Sequence, residues 1–180
     1  MLPLLIPETQ LFNEQDNTFI NIKEQKIQLE HSLVSLSKWE SKWHKPFLTD
    51  KAKTHEETLD YIKCMTITQN VKDEVYLCLN NDHVKQINDY IVNPMTATTI
   101  RDNNPKRINN EQITSELIYY WMILLNIPFK CEKWHLNRLI TLVKVCNIKN
   151  EPPKKMSKRD IMSRNAALNA ARRKQLNTKG

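Results

Sequence analysis

The chain has 180 residues, of which 40% are apolar and 26% charged, so it can bury a core and is not disordered throughout. Its one Gly, at position 180, leaves no Gly-rich loop for a phosphate and points to helices joined through Pro and Asn turns. The net charge of +7 is uneven: residues 149–180 hold ten Lys/Arg against two Asp/Glu, a net of +8, so residues 1–148 sum to −1 and the basicity belongs to an arm.

Residues 2–31 read as β structure. Leu2, Leu4 and Ile6 alternate around Pro3, which suits an edge strand. Phe12 and Phe19 flank a polar turn, Asn13 to Asn17, and Ile20–Ile22 and Ile27–Leu29 alternate with period two. A small antiparallel sheet follows from this. Ser32 is placed to cap a helix over Leu33–Trp43, whose Leu33, Leu36, Trp39 and Trp43 share one face and which ends by Pro46. Thr54 and Glu57 form a capping box for a helix that turns Leu59, Ile62 and Met65 inward. Val75–Leu79 is a short apolar run, strand or helical turn. Asn81 or Asp82 opens a helix with Val84, Ile87 and Ile91 inward, stopped near Asn93-Pro94. Thr96–Ile100 is β-prone and could join the N-terminal sheet.

Arg101–Gln112 has the composition of a polar loop. A helix hairpin over 114–148 then packs with the Trp39/Trp43 helix as the main core. Its first helix buries Ile118, Trp121, Met122 and Leu125 and closes at Asn126-Ile127-Pro128. Its second runs from about Cys131 to Ile148, with Leu136, Leu139, Ile140, Val143 and Cys146 or Ile148 inward. Pro152-Pro153 stops it. Ser157 caps a last helix from Lys158 to about Leu176, poor in large apolar residues and therefore solvated or ordered on a partner. The expected class is α+β and mainly helical, with a small antiparallel sheet packed with a helical bundle and a basic C-terminal helix. The division is a globular domain over 1–150 and a basic tail over 151–180.

Chemistry is sparse. Cys131 and His135 lie four apart and Cys146 follows, yet a zinc site needs more ligands at regular spacing, and these read as core residues. His44 and His55 have no nucleophile placed beside them and no Gly-x-Ser-x-Gly elbow exists. Glu56 and Glu57 fit the first turn of a helix by its dipole alone. No enzyme, metal or cofactor is expected. Trp39 and Trp43 among Lys38, Lys42 and Lys45 resemble a patch for single-stranded nucleic acid, but large aromatics at helical spacing are better read as core, with the lysines at its edge. The four cysteines, 64, 78, 131 and 146, read as free thiols. No apolar run approaches the ~20 residues of a membrane span, and the N-terminal apolar stretch is broken by Pro and lacks a basic lead.

The tail carries the one specific candidate surface: Lys154, Lys155, Lys158, Arg159, Ile161, Arg164, Leu168, Arg172, Arg173 and Lys174. No aromatic lies among the bases, so nucleotide bases have nothing to stack on. Ile161, Leu168 and Leu176, with Ala166 and Ala170 between, read as a thin seam for another helix. Docking on a protein is the expected role, nucleic acid the lesser alternative, and a membrane surface is excluded for want of bulky apolar residues.

Several blocks together resemble a known family: Leu29–Trp43, Pro94–Thr99, Ile113–Ile123, Trp134–Leu139 and the Ala167–Arg173 end. They are similar to the tailed-phage proteins labelled tail assembly chaperones, encoded beside the tape-measure protein. The resemblance implies a non-enzymatic protein of the bacterial host cytoplasm, with or without association with the virion. Such a protein binds the tape-measure protein or another tail protein, keeps it soluble during tail assembly, and can form a homo-oligomer. Two other roles stay open: a structural virion protein, such as a minor tail or head–tail component, and a nucleic-acid-binding protein acting through the tail.

Overall fold

A computed structural model of the chain describes residues 1–13, 17–49, 51–100, 112–150 and 157–178. They form four strands and seven α-helices: β1 (Leu2–Ile6), β2 (Thr9–Asn13), β3 (Thr18–Ile22), β4 (Gln25–Leu29), α1 (Leu33–Trp43), α2 (His55–Met65), α3 (Asp73–Leu77), α4 (Asn81–Val92), α5 (Ser115–Leu124), α6 (Leu136–Asn150) and α7 (Lys158–Leu176). The class is α+β, mainly helical, with the antiparallel strands at the N-terminus and a helix at the C-terminus. The chain divides into two units, 1–148 and 149–180.

The strands make two separate antiparallel pairs rather than one sheet, β1 with β4 and β2 with β3. Alternation decides the faces. Leu4 and Ile6 of β1 and Ile27 and Leu29 of β4 are buried, while Leu5 stands in solvent. Pro3 sits in β1, which among the described residues pairs with β4 alone, as suits a residue without an N–H. Beyond β4, Ile67 donates its N–H to the Gln28 carbonyl at 2.8 Å.

α1 begins where its sequence says. The Ser32 hydroxyl accepts from the Ser35 N–H and the Ser35 hydroxyl accepts from the Ser32 N–H, a closed capping box. Its Leu33, Leu36 and Trp39 are fully buried. The helix ends at His44, left-handed at φ 51°, ahead of Pro46. α2 has the Thr54/Glu57 box, with Tyr61, Ile62 and Met65 buried and Leu59 only half-buried. α1 is the hub: α2, α5 and a 3-10 turn over Phe129–Lys133 all approach it closely. An aromatic stack fills the centre, with Trp39 edge-on to Phe47 at 5.1 Å and Phe47 stacked on Tyr61 at 3.9 Å.

Val75–Leu79 resolves as a helical turn, since α3 covers Asp73–Leu77. α4 starts on the side chain of Asn80 and buries His83, Ile87 and Tyr90, with Val84 and Ile91 only half-buried. Thr96–Ile100 is no strand. It lies beside no strand of either pair, and β propensity without a neighbour has little force. Most of the polar stretch from Arg101 lies outside the described residues.

The second half of the helix hairpin differs from expectation. Cys131 lies in the 3-10 turn, and the helix starts only at Leu136. Pro128 sets the turn, and Cys131 and Trp134 donate back to the carbonyls of Pro128 and Cys131. Trp121 of α5 and Leu125, its C-cap, are half-buried, whereas Ile118 and Met122 are fully buried. Asn supplies the left-handed backbone that Gly would elsewhere: Asn17, Asn70, Asn126 and Asn177 all have positive φ.

Candidate functional site

The predicted partner-binding residues fall on α7, apart from Lys154 and Lys155, which lie outside the described residues. The Ser157 hydroxyl accepts the Asp160 N–H at 3.1 Å, and Asn177, at φ 48°, ends the helix. Every residue from Lys158 to Leu176 is exposed. Six bases and one acid occupy it. At about 100° per residue, Ile161, Leu168 and Leu176 share a side within about 80°, with Arg172 among them, but Ala166 and Ala170 fall on the far side. The seam expected from sequence is therefore only three large apolar residues spread over the whole helix and interrupted by Arg172, and bases ring the helix. A helix polar on all sides is not held by burial of its own stripe. Arg173 and Lys174 favour the C-terminal end of its dipole, whereas Lys158 and Arg159 oppose it at the other end.

The aromatic–basic group on α1 is consumed by the fold. The Trp39 indole N–H donates to the Glu57 carbonyl at 2.9 Å, and that of Trp43 to the Asp60 carboxylate at 2.9 Å. Lys42 pairs with Asp60, and Lys45 with Glu57 at 2.6 Å. Lys42 and Lys45 thus tie the end of α1 and the turn after it to two acids of α2, and both ammonium groups also lie over the Trp43 ring, at 6.0 and 5.6 Å. Glu57 has more than a dipole role: buried, it accepts from Lys45 and from the Thr54 N–H, and both hold its carboxyl below the usual range. A cleft of ≈420 Å³ opens beside this contact, with Lys51 and Lys53 on its wall. The Lys53 ammonium lies 4.2 Å over the Phe47 ring, and burial pulls its pKa down.

Sequence reasoning missed a buried polar cluster where β4, α2, α4 and α6 meet. His31 and His135 face each other edge to face at 5.1 Å. The His31 Nδ1 lies 2.5 Å from the Tyr61 hydroxyl, and its carbonyl accepts the Leu136 N–H at 2.7 Å. His135 Nε2 sits 3.0 Å from the Tyr90 carbonyl, which can only accept, so Nε2 carries the proton and Nδ1 accepts the Asn137 N–H at 3.3 Å. Tyr90 donates to Glu30 at 2.7 Å, and Glu30 also meets the N-terminal amine at 3.0 Å. Burial lowers the pKa of both imidazoles, that of His31 to about 3, so both are neutral at pH 7. Each ring nitrogen of His135 is occupied, which suits a structural joint.

His44 is the exposed cap of α1 and His55 the exposed first residue of α2, and neither hydrogen-bonds a Cys or Ser side chain among the described residues. Among those residues no group of three His, Cys, Asp or Glu is placed to hold a metal ion. All four cysteines are free. No helix described is long and apolar enough to cross a membrane.

Comparison with protein-family models, curated proteins and solved structures finds no match to the chain.

A second surface was hidden in the sequence because α5 is apolar on every side. Ile118 and Met122 face inward, and Tyr120, Ile123 and Leu124 are each more than half exposed. Phe129, 57% exposed, extends the strip from the 3-10 turn, whose Glu132 accepts the Tyr119 hydroxyl at 3.0 Å. Burial pushes the Tyr119 phenol up to about 12. The signal was available: a helix apolar all round, placed at the surface of a small domain, leaves one face uncovered.

Proposed function

We propose that this chain is a non-enzymatic tail assembly chaperone of a tailed phage, which binds a long helical tail protein and keeps it from aggregating before assembly. The observation that carries the reading is α7, a basic helix exposed along its whole length. A helix that buries nothing of its own is ordered most economically by lying against a second surface. The uncovered strip of α5, with Tyr120, Ile123 and Leu124, adds an apolar contact of the kind that shields an apolar client. The resemblance of the Leu29–Trp43 and Ile113–Ile123 blocks to tail assembly chaperones supplies the client, the tape-measure protein.

Bases on all sides of α7 also favour a second reading, in which the tail binds nucleic acid through phosphate contacts. Co-expression with the tape-measure protein tests the first reading. The full chain should hold that protein in the soluble fraction and co-purify with it, while a chain truncated at Glu151 should do so poorly. Equal rescue by both would remove α7 from the role. DNA binding that requires the tail and collapses with salt would favour the second reading. Presence of the chain in purified virions at stoichiometric levels would favour a structural component instead.

A further inference from the structure

The hairpin β2–β3 stands apart from the other strand pair. An isolated pair of strands is marginal in water and gains most from another strand. One face of the hairpin, with Leu11, Ile20 and Ile22, turns inward and is partly or fully buried. The other carries Gln10 and Asn21, joined by a 2.7 Å hydrogen bond, and Phe12 and Phe19, with ring centroids 5.1 Å apart and 50% and 65% exposed.

The two outer edges differ. That of β3 borders a cleft of ≈360 Å³, lined by its consecutive residues Ile20, Asn21 and Ile22 and by the connection to β4, and closed opposite by Asn70, Lys72 and Val75. Consecutive lining residues mark a strand edge rather than a face, because a face would contribute alternate residues only. Such a cleft leaves little room for another folded domain. The edge of β2 has no strand partner among the described residues. Natural edges are commonly blunted by Lys or Pro. β1 has its Pro3 and β4 its Lys26, but Thr9-Gln10-Leu11-Phe12-Asn13 holds no charge and no Pro.

The geometry points to a homodimer in which β2 pairs antiparallel with β2 of a second copy, giving a four-stranded sheet β3–β2–β2–β3. A two-fold axis through Leu11 sets Leu11 against Leu11, Thr9 against Asn13 and Gln10 against Phe12, so all five residues of the strand find a partner. Two-fold pairing brings a strand against itself. Any single-sign charge on the strand would therefore meet its like nearby, and this strand has none. The four exposed Phe rings of the two copies then share one face of the joined sheet.

The test uses the full chain and three variants, each checked for an unchanged circular-dichroism spectrum and melting temperature. Native mass spectrometry and light scattering should find the wild type dimeric at ~10 µM, where a micromolar Kd leaves most chains paired. Q10K/F12K and Q10E/F12E place like charges across the axis and should each weaken the dimer at least ~10-fold. Mixed in equal amounts, the two should form a heterodimer. I123K, on the exposed strip of α5, should stay dimeric. A wild type monomeric at ~100 µM, far above such a Kd, would overturn the proposal. So would lysine variants of β2 that dimerise like the wild type, or loss of the dimer in I123K alone.

Discussion

The carboxylate of Glu40, near the end of α1, accepts the backbone N–H of Ser115, the first residue of α5, at 2.7 Å. Its other oxygen accepts the Phe47 N–H at 2.8 Å. One buried side chain thereby caps α5 from another element and fixes the loop that carries Phe47 into the aromatic stack. E40A would leave two buried N–H groups unpaired, so urea denaturation should show a loss of about 3 kcal/mol. E40Q keeps one acceptor and should recover part of that loss. A stability change near zero for E40A would show that water replaces the carboxylate.

The tryptophans should differ sharply. Trp39 is 1% exposed and hydrogen-bonded, so W39A should cost about 4 kcal/mol. Trp121, expected from sequence to be a core residue, is only half-buried, and W121A should cost about 1–2 kcal/mol. Equal losses in chemical denaturation would mean that the core extends further over α5.

Stability should depend on acid through His31 and His135. Both imidazoles have folded pKa values below 6.5, so the unfolded chain binds the extra protons. The stabilisation is complete above about pH 6.5 and falls as pH drops toward the folded values, by ~1.4 kcal/mol per pH unit for each proton taken up. Denaturation midpoints between pH 7 and 5 should fall for the wild type and fall less steeply for H31Q, which cannot titrate. Parallel slopes would place the acid sensitivity elsewhere.

Chelation should leave the melting temperature unchanged. Cys131 sits in the 3-10 turn and both nitrogens of His135 are engaged, so neither waits for a metal with Cys146. A fall on chelator treatment that zinc reverses would overturn this reading.

Removal of residues 151–180 should leave the melting temperature within ~2 °C, because every buried residue described lies in the first unit. A truncated chain that fails to fold would show that the tail supports the domain.

Much of this fold is written locally. Ser32 with Ser35 and Thr54 with Glu57 start helices through contacts three residues apart, and β1 and β4 show their faces by alternation. What escaped depends on distant partners. Thr96–Ile100 has strand-forming residues but pairs with no strand. Glu57 looks like a first-turn acid until Lys45 reaches it from the turn after α1. His31 and His135 meet across more than a hundred residues, and nothing near either one announces it. The candidate surfaces divide in the same way. The exposed basic helix could be read from charge and sparse apolar content, whereas for α5 the sequence signals only that some face stays uncovered, because an apolar run does not say which of its sides that is.

The Asn residues that hold left-handed turns have a consequence for the unfolded chain. With its only Gly at the last position, this polypeptide has no interior residue of unrestricted backbone. Asn70 and Asn126 make their reversals at some steric expense, yet they narrow the range of shapes open to the denatured ensemble. Gly at either site would relax the native turn and loosen the unfolded chain at once, and the two effects oppose each other. A stiff chain has less disorder to lose, and that reserve helps a domain close even while it keeps apolar strips uncovered.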